Sequence, residues 1–511
     1  MALKVNLSED FQVQDETIGQ IEEGLNSGWK SFTILSNGDI FRSDSLMKVA
    51  LGPVIGEVTK SSANIVIEVK VQESNVLQCQ LFKEDETIEV KEEKMTDSRP
   101  HSFLFEDLDP DTWYRAIFPS IQCIANFKTK PSEIQTFKLI ALSCDKPSRL
   151  LMGQLNPWKF IEKTVNTGRV DSVLHIGDQI YPDGENMANS EKIFAQVFDE
   201  MSEEKQTDMM NRGREIWRQK YRSNFNKPYK REVLRKASNL MIWSDNDVAN
   251  DFTTRKTESG DPAYHSKFLT CGMETYRDYQ RRLWDPHCSF SLEDQVQEWH
   301  CHVYDKVGIF MFDLRGNRIT CEGGQESECP LISTEQWEAF EEFMANPDLR
   351  AIMLCSETPF VGDEPGACKE TVESNPKLDF LRDHWSFNEE ELTKLVEICF
   401  SWKSGDPDLR DLIFIAGDIH CGVTSVLTDE ETGLQINHYT TSPVTNHVCD
   451  FFSPLSGAIN DRFHFSHLPL GKKFRNFLEV DIRFEDECTN IQAKLVPISN
   501  DIFKNPEWHQ D

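Results

Sequence analysis

Six short, unbroken apolar runs set the tightest limit on the fold: FKLIALS at 137–143, SVLHI at 172–176, NLMIW at 239–243, VGIFMF at 307–312, AIMLC at 351–355 and DLIFIA at 411–416. Continuous runs of this length with β-branched content read as strands covered on both faces. Polar, helix-like stretches lie between them, among them residues 191–220, 333–345 and 389–402. Ser333 with Gln336 three positions on is a capping-box helix start. This alternation predicts an α/β layout, built on one or two sheets.

The first quarter of the chain has a different texture. Residues 62–71 (SANIVIEVKV) alternate apolar and polar, as a half-buried strand does. Residues 75–82 and 101–105 are further strand candidates, and DPDTWY at 109–114 is a turn leading into another. Short strands at this spacing predict a small antiparallel sandwich, and the segment resembles a fibronectin type III or immunoglobulin-like module. We therefore expect an N-terminal segment over 1–45 with a candidate strand pair, a β-sandwich domain over 46–130 and a larger domain over 131–511. The final stretch, FLEVDIRFEDECTNIQAKLVPIS, reads as a strand hairpin.

The formal net charge of −32 opposes polyanions, so nucleic-acid binding is not expected. A small anionic substrate stays possible where cations reverse the field at one site. The 14 cysteines include no CxxC pair, so most are expected to be buried, reduced thiols. The start, MALKVNLSED, shows no apolar export signal, and no apolar run approaches the ~20 residues of a membrane span. A cytoplasmic protein without a membrane partner is the expectation; its oligomeric state is not legible.

In α/β folds, ligands gather outside the carboxyl ends of the strands. The residues following the runs are Ser143-Cys144-Asp145, Gly177-Asp178 with Tyr181, Ser244-Asp245-Asn246-Asp247 with Asn250, Asp313 with Arg315, and Gly417-Asp418 with His420. Any one aspartate here reads as a turn former. Their convergence suits a mixed-ligand metal site, because so many carboxylates cannot all ionise together without cations. His175 reads as a core histidine. His300-Cys301-His302 lacks further ligands nearby. No phosphate-binding loop, dinucleotide fingerprint or GxSxG elbow occurs.

SCD at 143–145, GDQIY at 177–181, WSDNDVAN at 243–250, FDLRGNR at 312–318, TEQWEAF at 334–340 and GDIHCG at 417–422 come in an order that resembles the PhoD-like (alkaline phosphatase D) branch of the calcineurin-like metallophosphatases. The resemblance spans roughly residues 46–450. It implies a mixed α+β or α/β fold, a four-layer metallophosphatase-type β-sandwich flanked by helices and preceded by the small all-β sandwich. It also implies metal ligands at Cys144, Asp178, Tyr181, Asp245, Asn250, Asp418 and His420, with Asp178 bridging. A thiolate and a phenolate on one metal suit Fe³⁺, with Ca²⁺, Zn²⁺ or Mn²⁺ on the oxygen-rich side. Ser244 stands where the motif has Asp, and Asn246 where it has His. Asn donates a hydrogen bond but cannot act as a general acid.

The expected chemistry is hydrolysis of a small phosphorylated substrate, a monoester or a diester, at a binuclear centre. Asn246, Arg315 and His420 are the candidate catalytic residues, Arg315 as a guanidinium partner for phosphate or as a buried ion pair with a strand-end Asp. The alternative is a catalytically weakened, metal-binding regulatory protein on the same scaffold.

Overall fold

A computed structural model describes residues 32–34, 40–42, 48–70, 75–95, 97–147, 156–182, 185–252, 267–289, 297–316, 330–375, 381–451, 453–470 and 474–498. The chain divides into two compact units. The first comprises Met1–Ser132 with Phe225–Asn239 and Arg282–His287; the second comprises Glu133–Asn224, Leu240–Arg281 and Cys288–Asp511. Of the N-terminal segment, only an antiparallel pair, Phe32–Ile34 with Ile40–Arg42, is described; the rest of residues 1–45 lies outside the described residues.

The first unit carries two antiparallel sheets. One joins Lys48–Val58, Ala63–Lys70 and Pro100–Phe105; the other joins Glu86–Met95, Asn75–Lys83, Trp113–Phe118 and Cys123–Lys128. Ile65, Ile67 and Val69 alternate into a core shared with Leu81, Phe103, Phe118 and Phe127. The sequence predicts a half-buried strand here, yet the opposite face of Ala63–Lys70 is buried too. The cause is chain from further along. Asn64 Nδ2 donates to the carbonyls of Arg282 (2.7 Å) and Leu283 (3.2 Å). Gly56 lies so close to Leu283 that a side chain there would strike its backbone. Ser238 and Asn239 donate to the carbonyls of Gly56 and Ile55.

In the second unit we label the site-bearing strands β1 (Thr136–Leu142), β2 (Ser172–Ile176), β3 (Asn239–Ile242), β4 (Val307–Met311), β5 (Ala351–Ser356), β6 (Asp411–Ala416) and β7 (Gln435–Thr440). β3, β2 and β1 form a five-stranded sheet with the hairpin Arg475–Phe484 and Thr489–Ile498. β4, β5, β6 and β7 are successive parallel strands of an eight-stranded sheet. All six apolar runs are strands, buried throughout except for the first residues of β1 and β6 and one more lysine in β1.

Phe310, Ile352, Leu354, Leu412 and Phe414 fall on one face, in a core completed by two helices. Their neighbours Ile309, Met353, Cys355, Ile413 and Ile415 are equally buried but lie outside that cluster, which is why the runs do not alternate. The helices are α1 (Thr334–Met344) and α2 (Glu389–Ser404). α2 begins with Asn388 accepting from the Glu391 N–H, and three glutamates occupy its first turn. Leu392, Leu395, Val396, Cys399 and Phe400 form its buried stripe at helical spacing. α1 is capped by Ser333, but the Gln336 side chain does not close the box. It instead accepts from Asp313 N (2.8 Å) and donates to Asp313 O (2.9 Å), fixing the end of the β4 run.

Hydrogen bonds join the carboxyl edges of the two sheets. Thr441 Oγ1 donates to Ala141 O, Ser143 Oγ to Thr441 O, and Val444 N to Ser143 O. Glycine permits the close approach. Gly177 has φ +78°, and a Cβ there would stand 2.7 Å from the Ser244 Cβ. Gly177→Ala is therefore expected to destabilise the protein by about 2–4 kcal/mol, through a left-handed backbone and an overpacked contact. Urea denaturation measures this, and a loss below about 0.5 kcal/mol would show that the strand ends can separate freely.

Candidate metal centre

The ends of β1, β2, β3 and β6 deliver side chains to one place, and several do so from an unusual backbone. Cys144, Asp178, Asp418 and His420 all have positive φ, 57°, 61°, 66° and 52°. Non-glycine residues rarely adopt this region. It turns the chain sharply after each strand, so the side chain points back across the sheet edge.

Cys144 is buried, with its sulfur 3.4 Å from Asp178 Oδ2. Ser442 Oγ donates to that sulfur at 3.0 Å. Tyr181 OH donates to Asp178 Oδ2 at 2.7 Å and lies 3.2 Å from His420 Nε2. Two groups of potential ligand atoms result, Cys144–Asp178–His420 and Asp178–Asp245–Asp418, each with its atoms within 4.8 Å of one another. Asp178 belongs to both. Its Oδ1 is buried without a hydrogen-bond partner among the described residues, as a ligand atom awaiting a cation would be.

The charges are costly as they stand. Burial, then the negative charges of Asp245, Asp418 and Asp247, hold the Asp178 carboxyl well above the usual carboxylate range. Burial also raises Asp245, against the pull of Arg315. Burial raises the Cys144 thiol, with Asp178 and Asp418 adding to it, and raises the Tyr181 phenol. Burial alone would raise Asp418, but a hydrogen bond from His384 and its charge outweigh this and lower it. Burial presses His420 down to about 4, leaving its ring neutral and able to ligate. Cations would reverse these penalties at a stroke. The donor set of thiol, phenol, imidazole and carboxylates fits them.

The other expected residues take varied places. Asn246 is buried beside the cluster, and its amide donates to Asp245 Oδ1 at 3.3 Å. Asn250 is exposed and donates to Asp251 Oδ2, while the Asp251 N–H donates to Asp245 Oδ2 at 2.6 Å. Arg315 is 3% exposed and lies among carboxylates: Nε is 2.8 Å from Glu357 Oε1, and Nη1 is 2.5 Å from Asp383 Oδ2. These contacts form a buried ion-pair network, and Nη2 lies 3.9 Å from Oδ1 of the strand-end Asp245. Asp145 is committed to Trp158 Nε1, Asn224 Nδ2 and Thr445 Oγ1. His175 is buried and stacks on Trp158. His300 Nδ1 is 2.7 Å from His302 Nε2 on the buried face of their strand, and Cys301 is exposed.

Sequence reading missed several participants. Glu357 comes directly after β5; the strand-end rule applied to that run would have found it. It lies 2.6 Å from Ser244 Oγ, which is also 2.9 Å from Asp245 Oδ1, so the serine places a hydroxyl between Glu357 and Asp245 where an aspartate would add one more carboxylate. Asp247, named among the strand-end residues but given no role by the sequence, is wholly buried and accepts from the backbone N–H groups of Asp178, Gln179, Ile180 and Ser244. Asp383 and His384 come from a segment with no strand grammar. Asn446, His447 and Cys449 lie beyond the end of β7, whose alternating sequence does not announce a buried strand.

Burial raises Asp247 to about 7, Glu357 to about 7 and Asp313 to about 6. Unfolded carboxyls ionise near 4. Through these three groups the folded, metal-free chain binds more protons than the unfolded one between about pH 4 and 7, a contribution lost as pH rises; burial lowers His300, His420, His438 and His467, which act in the opposite sense below about pH 6.5. The melting temperature of chelated protein is expected to drop by roughly 2 °C or more from pH 6.5 to pH 8, above the range in which unfolded histidines titrate. A melting temperature that rises over this range would contradict the assignment.

A family model described as PhoD-like phosphatase matches residues 139–453. A solved structure described as PhoD shares 12% identity, covering 88% of this chain and 92% of that one, with a TM-score of 0.61; at that identity the likeness speaks to the fold alone. A β-glucuronidase from Ruminococcus gnavus shares 12% identity over 76% of this chain and 60% of its own, but its TM-score of 0.25 is too low to carry any argument. No curated protein sequence matches the chain. No helix among the described residues is long and apolar enough to cross a membrane.

Proposed function

The chain belongs to the PhoD-like phosphatase family, and on that premise we propose that it hydrolyses phosphoesters of a small substrate at a binuclear metal centre. One observation carries the reading: Asp178 is shared by two groups of ligand atoms, as a carboxylate bridging two cations must be. Cys144, Tyr181 and His420 would hold one cation, for which an anionic thiolate and phenolate suit Fe³⁺; Asp245 and Asp418 form the oxygen-rich side and suit Ca²⁺, Zn²⁺ or Mn²⁺. Asn250 stands behind Asp245 through Asp251.

Bound cations would supply a hydroxide nucleophile at neutral pH and offset the charge of the phosphoryl group. The chain's own residues do the positioning. Asp247 fixes the 178–180 backbone. Arg315 and Ser244 hold Glu357 and Asp245 in place, so that Asp245 keeps its face toward Asp178. Asn246 offers an amide hydrogen to a phosphoryl oxygen but cannot protonate a leaving group. Substrates with good leaving groups should accordingly be favoured.

The test is hydrolysis of mono- and bis-aryl phosphates by chelated and metal-reloaded protein. Activity that vanishes with chelator and returns with metal supports the proposal, and the ratio of the two substrates separates monoesterase from diesterase. Full activity after metal removal would sink it. The second reading, a metal-loaded binding protein, is favoured by Asn246, which supplies no proton for a leaving group and gives one amide hydrogen to Asp245. Metal uptake without turnover of mono-, di- or pyrophosphoesters would select it.

A further inference from the structure

His420 presents its two ring nitrogens to different neighbours. Nε2 faces Tyr181 OH at 3.2 Å and Asn446 Nδ2 at 3.0 Å. Nδ1 faces His447 Nε2 at 3.3 Å, with the two rings nearly perpendicular at 84°. Cys449 completes a third group whose ligand atoms lie within 4.8 Å of one another, His420–His447–Cys449. We propose that these three residues form a further metal site, for Zn²⁺ or a similar borderline-soft cation, at the rim of the main centre.

The donor set differs in kind from its neighbours. It is two imidazoles and a thiol with no carboxylate, which selects zinc over calcium or magnesium. The geometry agrees. With Zn–N bonds of about 2.0–2.1 Å, two nitrogens of a tetrahedral site stand about 3.3–3.4 Å apart. The two histidine nitrogens are already at that separation.

Two contacts prepare the ligands. His447 Nδ1 lies 3.0 Å from Asn446 Oδ1, an oxygen that can only accept, so Nδ1 carries the proton and Nε2 keeps its lone pair. The Cys449 N–H donates to His420 O at 2.8 Å, pinning the loop against the strand end that carries His420. His447 is exposed and Cys449 half-buried, so the fourth position opens to water or to an anionic ligand.

His420 would serve this site through Nδ1, the nitrogen that faces His447, and zinc would take the Cys449 sulfur as thiolate, its proton passing to solvent. The inference rests on the metal-binding reading of the main centre only through this shared ring; His447 and Cys449 lie outside that centre. No hydrolysis is required of the third site.

The experiment counts zinc. Full-length protein is stripped with chelator, dialysed against Zn²⁺ and analysed for bound equivalents, alongside Cys449→Ser and His447→Ala. Each variant should bind one equivalent fewer than the wild type and keep the rest. Loaded with Co²⁺, wild-type protein should show a thiolate-to-cobalt absorption that weakens in Cys449→Ser, leaving the part due to Cys144. Unchanged stoichiometry in both variants would overturn the site and leave His447 as a hydrogen-bond partner of His420. Loss of all zinc in either folded variant, judged by circular dichroism, would overturn it as well. If the count changes as expected but loaded wild-type protein hydrolyses no phosphoester, the phosphatase proposal fails and the rim site stands.

Discussion

Asp178→Asn is expected to lower phosphoester hydrolysis by about 10³-fold or more while leaving the metal-free protein as stable as the wild type, or more so. The loss comes from geometry. Asp178 is the one carboxylate common to both ligand groups, so its replacement weakens both sides together. A factor of 10³ is about 4 kcal/mol of transition-state stabilisation, within the several kcal/mol that a metal supplies. The gain in stability comes from charge. Burial and three neighbouring aspartates hold the Asp178 carboxyl well above its usual range, so near neutral pH the folded chain keeps a proton there or endures a buried like-charge cluster. An amide removes that choice. Steady-state kinetics with reloaded protein and thermal melts with chelated protein check the two halves. Retained activity would remove Asp178 from the centre, and lost activity with an equally large loss of stability would reduce it to a structural role.

Asp247→Ala should be far more damaging to the fold. One carboxylate accepts from four backbone N–H groups, those of Ser244, Asp178, Gln179 and Ile180, at 2.9–3.2 Å. Alanine leaves all four without their acceptor inside the protein. Each orphaned buried group costs roughly 1–3 kcal/mol, so the total is on the order of 4 kcal/mol or more, against a typical stability of about 5–15 kcal/mol. The urea midpoint should fall sharply. Asp247→Asn, which keeps one oxygen acceptor and places an amide against N–H donors, should lie between. A loss under about 1 kcal/mol for the alanine variant would mean that water replaces the carboxylate and that the 178–180 turn stands unaided.

How far the sequence reveals this molecule depends on what each segment buries. The six apolar runs were legible because both faces of those strands are covered, and that leaves no polar residues to blur the pattern. The residues just beyond the runs then led to Cys144, Asp178, Asp245 and Asp418. Where pattern and burial part company, reading fails. β7 (QINHYT) is parallel to β6 and ends on the same edge, but its alternating sequence hid it, and with it Asn446, His447 and Cys449. The stretch 191–220 read as one helix. It is two, Glu185–Val197 and Glu203–Phe225, parted by a 3₁₀ turn at Phe198–Glu200. Glu203 and Glu204 at the second helix's start are the local signal for that break. Asn64 shows a third kind of miss, since no local pattern announces that residues some 220 positions away will cover a polar strand face.

The left-handed backbone at Cys144, Asp178, Asp418 and His420 sets the centre against the rest of the molecule. A non-glycine residue in that region costs about 1–2 kcal/mol relative to an ordinary conformation, and glycine escapes most of this. At each of the four positions the residue best for the chain's endurance is therefore one without any donor atom. A library sorted only for heat resistance should drift toward glycine there and discard the centre piece by piece. Retaining these four side chains would mark a lineage still selected for what the centre does.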